Sequence, residues 1–490
     1  MKIHIKNIGM LDEAEFEVGD LTLICGENNT GKTYATYSLY GYLDFIGDNP
    51  KPILFELLLF AMDKYSDFME IQDDKMQISI ENFKNALMYL SEILKRNFKN
   101  TLLEVLAGKE EDFENSVFED DLLLKFSGFI QSANNEENLK KVFDFFKYSP
   151  TFELYDINDK TIIFNYEKSK ERFDERMQYD KDAKRQKFWL LLVAYIFSRL
   201  YPRPFILSAE RTGATMFQKE LDVNKNEIVE QISRVSVKDI EETVLNVLNT
   251  RYSRYPKPVK DNIYFVRELD EVAKQTSFIK KGEKENALHK EIIELLYQVV
   301  GGKYIVSPEG IEFAPGAKQR ITKGKFLVQR ASSSVRSLLM LNYYVLHRVQ
   351  VGDILMIDEP ELNLHPKNQI LVARLLVLLV NAGIKVFITT HSDYIVRELS
   401  NCIMLKNLSN EQIKKLAKQG YSKEYGLESK KVKAYLAENI KGKNTLRAAK
   451  ITQEQGIFME TFDEPIDLQN ENQGLIFEEA MRSKGDSNDK

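Results

Sequence analysis

The chain has 490 residues, 43% hydrophobic and 29% charged, enough apolar material for a large core and too ordered a composition for a low-complexity protein. A net charge of −6 excludes any global attraction to nucleic acid, so a basic surface has to be local. Cys25 and Cys402 are too few for a zinc site and fit a reducing compartment.

The N-terminus, MKIHIKNIGM, lacks the apolar core of a signal peptide and alternates like a strand at Ile3, Ile5 and Ile8. Glu15-Phe16-Glu17 and the apolar run Leu21 to Cys25 predict two more strands, and Thr33 to Phe45 predicts a helix. From Pro52 to about Phe146 the pattern is helical, interrupted by the acidic stretch Glu110 to Asp121, which reads as a solvated loop. Phe152 to Tyr166 predicts a hairpin turning at Asn158-Asp159. Residues 167–187 mix eight basic with six acidic side chains, the mark of an exposed helix face. The apolar run Trp189 to Phe197 is too short to span a bilayer, so a cytoplasmic protein with no membrane contact is expected. Phe205 to Ser208 reads as a short strand. Met216 to Val300 reads as mostly helical, broken at Pro256 and Pro258.

Four motifs carry chemistry. Gly26-Glu27-Asn28-Asn29-Thr30-Gly31-Lys32-Thr33 fits G-x-x-x-x-G-K-[ST], in which glycines let backbone N–H groups close around phosphate oxygens at a helix N-terminus. Lys32 would reach the β- and γ-phosphates of ATP, and Thr33 would ligate Mg²⁺. Ile354 to Ile357 is a buried-strand pattern ending in Asp358-Glu359, placing Asp358 to hold Mg²⁺ and Glu359 to act as general base. Phe387 to Thr390 is a second such strand, ending at His391, where a histidine can contact the γ-phosphate. Ser332, Ser333 and Ser334 precede the predicted helix Leu338 to Leu346. They are either ordinary helix caps or a signature motif that binds the γ-phosphate held by a second subunit.

Together the four motifs resemble the ABC-type ATPases of the RecF, SMC and OLD sort. Asp358-Glu359-Pro360-Glu361-Leu362-Asn363-Leu364-His365-Pro366 is similar to the DEPE-x-x-LHP stretch of the OLD-like branch, and Ser208-Ala209-Glu210-Arg211 to its Ser/Ala-Glu-Arg motif. The resemblance covers roughly residues 1–45, 203–215 and 304–410. It implies an α/β, ABC-type P-loop head assembled from N- and C-terminal parts, with largely helical inserts. The chain then divides into the N-terminal half of the head (1–50), a mainly helical insert with a short hairpin (51–200), a return to the head (201–215), a second helical insert (216–303), the C-terminal half of the head (304–410) and a charge-segregated region (411–490). Ser334 departs from the family, standing where the signature usually has glycine. Glu361 and His365, four apart, would share a face if helical and are a weak metal pair.

The OLD-type nucleases carry a Toprim domain after the head. The stretch beyond His391 shows no D-x-D, and His4, His289, His347, His365 and His391 form no H-N-H pattern, so cutting of nucleic acid is expected to need another chain. Residues 414–450 hold eleven Lys/Arg against three Glu, and residues 451–490 ten acidic against three basic residues. That reads either as a solvated helix with an acidic edge or as a basic surface for phosphates or an acidic partner. The resemblance to the ATPase subunits of the Septu and PARIS anti-phage systems implies a homodimer or higher homo-oligomer that uses ATP and Mg²⁺ and controls a separate nuclease effector. Direct nucleic-acid contact is left open. A RecF-like DNA-repair ATPase is the alternative. A transporter's nucleotide-binding subunit is disfavoured by the large inserts and the unusual signature.

Overall fold

The computed structural model describes residues 1–47, 69–72, 75–133, 136–144, 153–158, 160–165, 181–217, 255–317, 320–321 and 324–485. The N-terminal alternation produces β1 (Lys2–Ile8) and β2 (Leu11–Glu17), an antiparallel pair with Ile3, Ile5 and Ile8 buried. β3 (Leu21–Gly26) is buried along its whole length, as an interior strand of a parallel sheet must be, and leads through a loop into α1 (Lys32–Ile46).

In the first insert, β4 (Met69–Gln72) and β5 (Lys75–Ser79) precede the long helix α2 (Ile80–Leu106), which is followed by β6 (Val117–Asp120). β7 (Glu153–Ile157) and β8 (Thr161–Asn165) are the expected hairpin, and the strands assemble in the order β4-β5-β8-β7. Asn158 Oδ1 fixes the turn by accepting from the backbone N–H of Lys160 (3.0 Å) and Thr161 (2.8 Å). The expected helical stretch at 52–68, Asp159, most of the charged stretch 167–187 and residues 218–254 lie outside the described residues. α3 (Lys181–Leu200) carries the Trp189 to Phe197 run, with Trp189 fully buried. No helix among the described residues is long and apolar enough to cross a membrane.

The acidic stretch Glu110 to Asp121 is not the expected solvated loop. It forms a short 3-10 turn and then β6, which pairs antiparallel with β1. Asp120 points inward, accepting from the hydroxyls of Tyr42 and Tyr201 and from the Leu122 N–H (2.7 Å). A count of charges reads such a segment as exposed because it cannot see which carboxylate has inward partners.

The chain continues through β9 (Pro204–Leu207) and α4 (Arg211–Met216). Pro256 and Pro258 stand at the start of α5 (Lys257–Arg267), where a missing N–H costs nothing. α6 (Ala287–Val300) leads to a small antiparallel sheet of β10 (Gly302–Ser307), β11 (Gly310–Ala317), β12 (Arg320–Ile321) and β13 (Phe326–Leu327). Then come α7 (Ser333–Tyr343), β14 (Ile354–Asp358), α8 (Pro366–Asn381), β15 (Lys385–Thr390) and α9 (Asp393–Leu405).

The central sheet has the order β17-β16-β3-β15-β14-β9, where β16 (Val432–Ile440) and β17 (Lys443–Ala448) come from the charge-segregated region. The head therefore does not end near residue 410, and the Lys-rich segment is not a solvated helix. β16 runs parallel to β3 with Val432 opposite Leu21 and Ala437 opposite Gly26. Only β17 runs antiparallel in this sheet. Side-chain alternation splits the core between the two faces. Leu21, Leu23, Leu355, Ile357, Val386, Ile388, Val432 and Ala434 face the layer of α5 to α9. Ile24, Ile354, Met356, Phe387, Tyr435 and Ala437 face α1, α2 and the β1–β2 pair. The acidic tail ends in a helix, α10 (Glu460–Gly485), exposed from residue 467 to 480.

Candidate functional site

The parallel strands β3, β15, β14 and β9 deliver their C-terminal ends to one edge, the place where ligands bind in such sheets. The loop of residues 26–31 leaves β3 there. Gly26 (φ +137°) lies so close to β16 that a Cβ would stand 2.1 Å from the Ala437 carbonyl oxygen, and Gly31 (φ +94°) so close to Leu11 that a Cβ would stand 2.5 Å from its Cγ. Neither position admits another residue without moving backbone or core. Asn29 is also left-handed, at φ +62°. Thr30 Oγ1 donates to the Glu27 carbonyl at 2.7 Å, and Lys32 Nζ donates to the carbonyls of Gly26 (3.1 Å) and Glu27. Lys32 is buried, and burial pulls its ammonium below the ordinary lysine range, opposed by the charges of Asp358 and Glu359. Glu27, Asn28, Asn29 and Thr33 are exposed on the open side of the loop.

Thr33 Oγ1, on the first turn of α1, donates to Asp358 Oδ2 at 3.2 Å. The other Asp358 oxygen accepts from Thr389 Oγ1 at the end of β15. Asp358 is buried, and burial pushes its carboxyl above the usual range, with the Glu359 charge adding to the effect and the two threonine hydroxyls opposing it. Glu359 is left-handed (φ +52°), its N–H donating to the Thr389 carbonyl at 3.1 Å. Its Oε1 lies 3.8 Å from His391 Nε2. Burial and then the Lys32 charge hold His391 below its ordinary pKa, against the pull of Glu359. The structure thus brings together Lys32, Thr33, Asp358, Glu359 and His391 from opposite ends of the chain.

Ser332, Ser333 and Ser334 stand elsewhere, at the start of α7. Ser332 is the helix cap, accepting from the Val335 N–H at 3.4 Å, and its hydroxyl lies 2.9 Å from that of Ser334. The hydrogen bonds of Ser332 and Ser334 run to each other and to the helix they open; Ser332 is exposed, and Ser333 and Ser334 are half-buried.

Three contributors escape a reading of the motifs. Arg211 is buried and donates to the carbonyls of Ser208 (2.9 Å), Asp358 (2.8 Å) and Glu359 (2.6 Å), tying the turn after β9 to the Asp358-Glu359 backbone. Thr389 orients Asp358. Glu361 accepts from Thr390 Oγ1 (2.7 Å) and the His391 N–H (2.6 Å), which fixes the backbone that carries the imidazole. Burial raises the Glu361 carboxyl above its usual range. The metal pairing of Glu361 with His365 fails, because the two are not on one helix. His365 caps α8, its Nδ1 accepting from the Lys367 N–H at 3.2 Å. Among the described residues no group of three or more His, Cys, Asp or Glu is arranged to hold a metal ion. The Ser-Ala-Glu-Arg and DEPE stretches contain Arg211 and Glu361, yet which backbone groups they would meet is not written in either motif.

The family described as AAA ATPase domain matches residues 1–396. The chain belongs to that family. Among curated proteins no match is found. Solved structures similar to the chain include the SMC head domain from Thermotoga maritima, at 10% identity over 92% of this chain and 98% of that chain, with a TM-score of 0.29. An Smc head bound to the C-terminal winged-helix domain of ScpA gives 12% identity, 91% and 97% coverage and a TM-score of 0.32. An Smc head with an extended coiled coil, bound to the C-terminal domain of ScpA from Pyrococcus furiosus, gives 11%, 96%, 98% and 0.30.

Proposed function

We propose that the chain binds and hydrolyses ATP as the regulatory or scaffold subunit of a cytoplasmic bacterial anti-phage defence complex, and that the nuclease it controls is a separate chain. The observation that carries the ATPase part is the hydrogen bond from Thr33 to Asp358, which joins the phosphate loop to the second acidic motif beside Glu359. In this reading Gly26 to Gly31 present backbone N–H groups to the phosphates and Lys32 supplies the cation. The hydroxyl and carboxylate of Thr33 and Asp358 are hard oxygen ligands that suit Mg²⁺, and a carboxyl whose ionisation is resisted by burial is one that a cation would relieve. Mg²⁺, when bound, would offset phosphate charge. Glu359 takes the proton of the attacking water, and His391, kept neutral near pH 7, contacts the terminal phosphate.

The serines at the start of α7, Ser332 exposed and Ser333 and Ser334 half-buried, support a composite site. Ser332, Ser333 and Ser334 of one protomer would meet the nucleotide of another, which makes the working form a homodimer or a higher homo-oligomer. The defence role rests on the similarity of the Asp358 to Pro366 and Ser208 to Arg211 stretches to the OLD-like branch, and on the resemblance of the overall plan to the ATPase subunits of Septu and PARIS. The purified chain should hydrolyse ATP with Mg²⁺ and cut neither DNA nor RNA, and cutting should appear only when a nuclease encoded beside it, if one is found there, is co-expressed. Cleavage by the chain alone, abolished by a point substitution within it, would overturn the regulatory reading. ATP-dependent and steeply salt-sensitive binding of duplex DNA would favour a RecF-like repair ATPase instead.

A further inference from the structure

The hairpin of β16 and β17 reaches the phosphate loop with one side chain. The backbone N–H of Asn444 donates to Asp12 Oδ2 at 2.8 Å, while its side-chain amide donates to the Met10 carbonyl at 2.8 Å and the Asn29 carbonyl at 3.3 Å. The amide is itself aimed: Asn439 Nδ2 donates to Asn444 Oδ1 at 2.8 Å, and Asn439 Oδ1 accepts from the Gly442 N–H at 2.9 Å across the turn. That turn needs left-handed backbone at both Lys441 (φ +53°) and Gly442 (φ +84°). Asn29 is the side-chain-bearing residue of the loop in left-handed backbone, a conformation asparagine tolerates, and the Asn444 amide binds its carbonyl there. The loop is therefore clamped from two sides, by Leu11 under Gly31 and by Asn444 on Asn29. Lys441 and Lys443 are exposed on the same turn and form no ion pair among the described residues.

Resting on the ATP-binding reading above, we infer that Asn444 is a positioning residue of the nucleotide site and that the hairpin around it presets the phosphate loop for binding. A loop held in its binding shape loses less conformational freedom when phosphate arrives, so the clamp acts on affinity rather than on the chemical step. It also makes the C-terminal region part of the site's control, since a partner that pulls on the turn carrying Lys441 and Lys443 pulls on Asn29.

The test compares Asn444→Ala with Asn439→Ala by titration with ATP, by ATPase kinetics and by thermal unfolding without nucleotide. Asn439→Ala loosens the same turn but leaves the Asn444 amide donors present. Asn444→Ala is expected to weaken ATP binding about five- to tenfold, on the order of one hydrogen bond, with KM raised and kcat nearly unchanged. Asn439→Ala, which frees the Asn444 amide from the bond that aims it, is expected to weaken ATP binding in the same direction but less, about two- to threefold, with KM again raised and kcat nearly unchanged. Equal ATP affinity in Asn444→Ala and the unaltered chain overturns the inference, as does a defect in Asn444→Ala that appears as a lower kcat with KM unchanged. If the unaltered chain itself fails to bind ATP, the ATPase reading falls first, and that outcome is distinct from either.

Discussion

Glu359 is asked to be both a general base and a left-handed residue, and the two demands can be separated. At φ +52° an L-residue other than glycine gives up about 1–2 kcal/mol relative to ordinary backbone. Glycine adopts that geometry freely but loses about 0.5–1 kcal/mol more backbone entropy on folding. The side chain adds little to offset the difference: its one ion-pair contact is the 3.8 Å approach to His391, and the backbone bonds to Thr389 and Arg211 survive any substitution. Removing the charge also relieves Asp358, whose carboxyl the Glu359 charge pushes up, so the fair reference is the neutral Glu359→Gln variant. Against that reference Glu359→Gly should be more stable by roughly 0.5–1 kcal/mol, which for a chain of this size is about 1 °C in melting temperature. Both variants should bind ATP and lose hydrolysis by about 10²-fold or more. The assay is a nucleotide-free thermal melt of the three proteins, run beside a phosphate-release measurement. A Glu359→Gly protein that melts below Glu359→Gln refutes the strain argument. Turnover like that of the unaltered chain in either variant moves the general base elsewhere.

Lys32→Ala should lose ATP binding. Mixed with Ser332→Arg it should regain ATPase in proportion to the mixed dimers formed, whereas no recovery in confirmed mixed dimers counts against the composite site. His391 is held below its ordinary value of 6.5, so as pH falls the unfolded chain takes up that proton first. Stability should therefore drop from about pH 6.5 down to the folded pKa and level off below it, and in His391→Gln the melt-against-pH curve should lack that drop while running parallel above it. Lys430, Lys431 and Lys433 pair with Glu428, Asp20 and Glu17, and are poor probes of a docking surface. Lys414, Lys415 and Lys418 form no ion pair among the described residues. Reversing those three to Glu should weaken association with an acidic partner about tenfold in a binding titration and leave ATP hydrolysis unchanged.

The phosphate loop was legible because its chemistry constrains residue type at fixed spacing: only glycine fits beside Ala437 and Leu11, and only a long cation reaches phosphate from Lys32. β14 and β15 were legible as apolar runs ending in polar residues. β16 was not, although Val432, Ala434 and Leu436 are buried, because Lys430, Lys431 and Lys433 around them raise the local charge, and the partners of Lys431 and Lys433, Asp20 beside β3 and Glu17 on β2, lie hundreds of positions away. β6 failed for the same reason, with Asp120 counted as solvent-facing when two tyrosines hold it inside. Arg211 and Glu361 act on backbone groups of other segments, and a one-dimensional motif carries no record of those.

The position of β3 between β15 and β16 has a consequence for how the molecule comes into being. The strand that ends in the phosphate loop is made hundreds of residues before either of its sheet neighbours. Until Val386 to Thr390 and Val432 to Ala437 arrive, Leu21, Leu23 and Ile24 have no ladder on either side. The insert, with its sequence-local α2 and the β7–β8 hairpin, has short-range contacts that can form before these. Such distant pairing slows folding and leaves an apolar strand exposed meanwhile, which marks this chain as one whose yield should depend on translation speed and on chaperones more than its final stability would suggest.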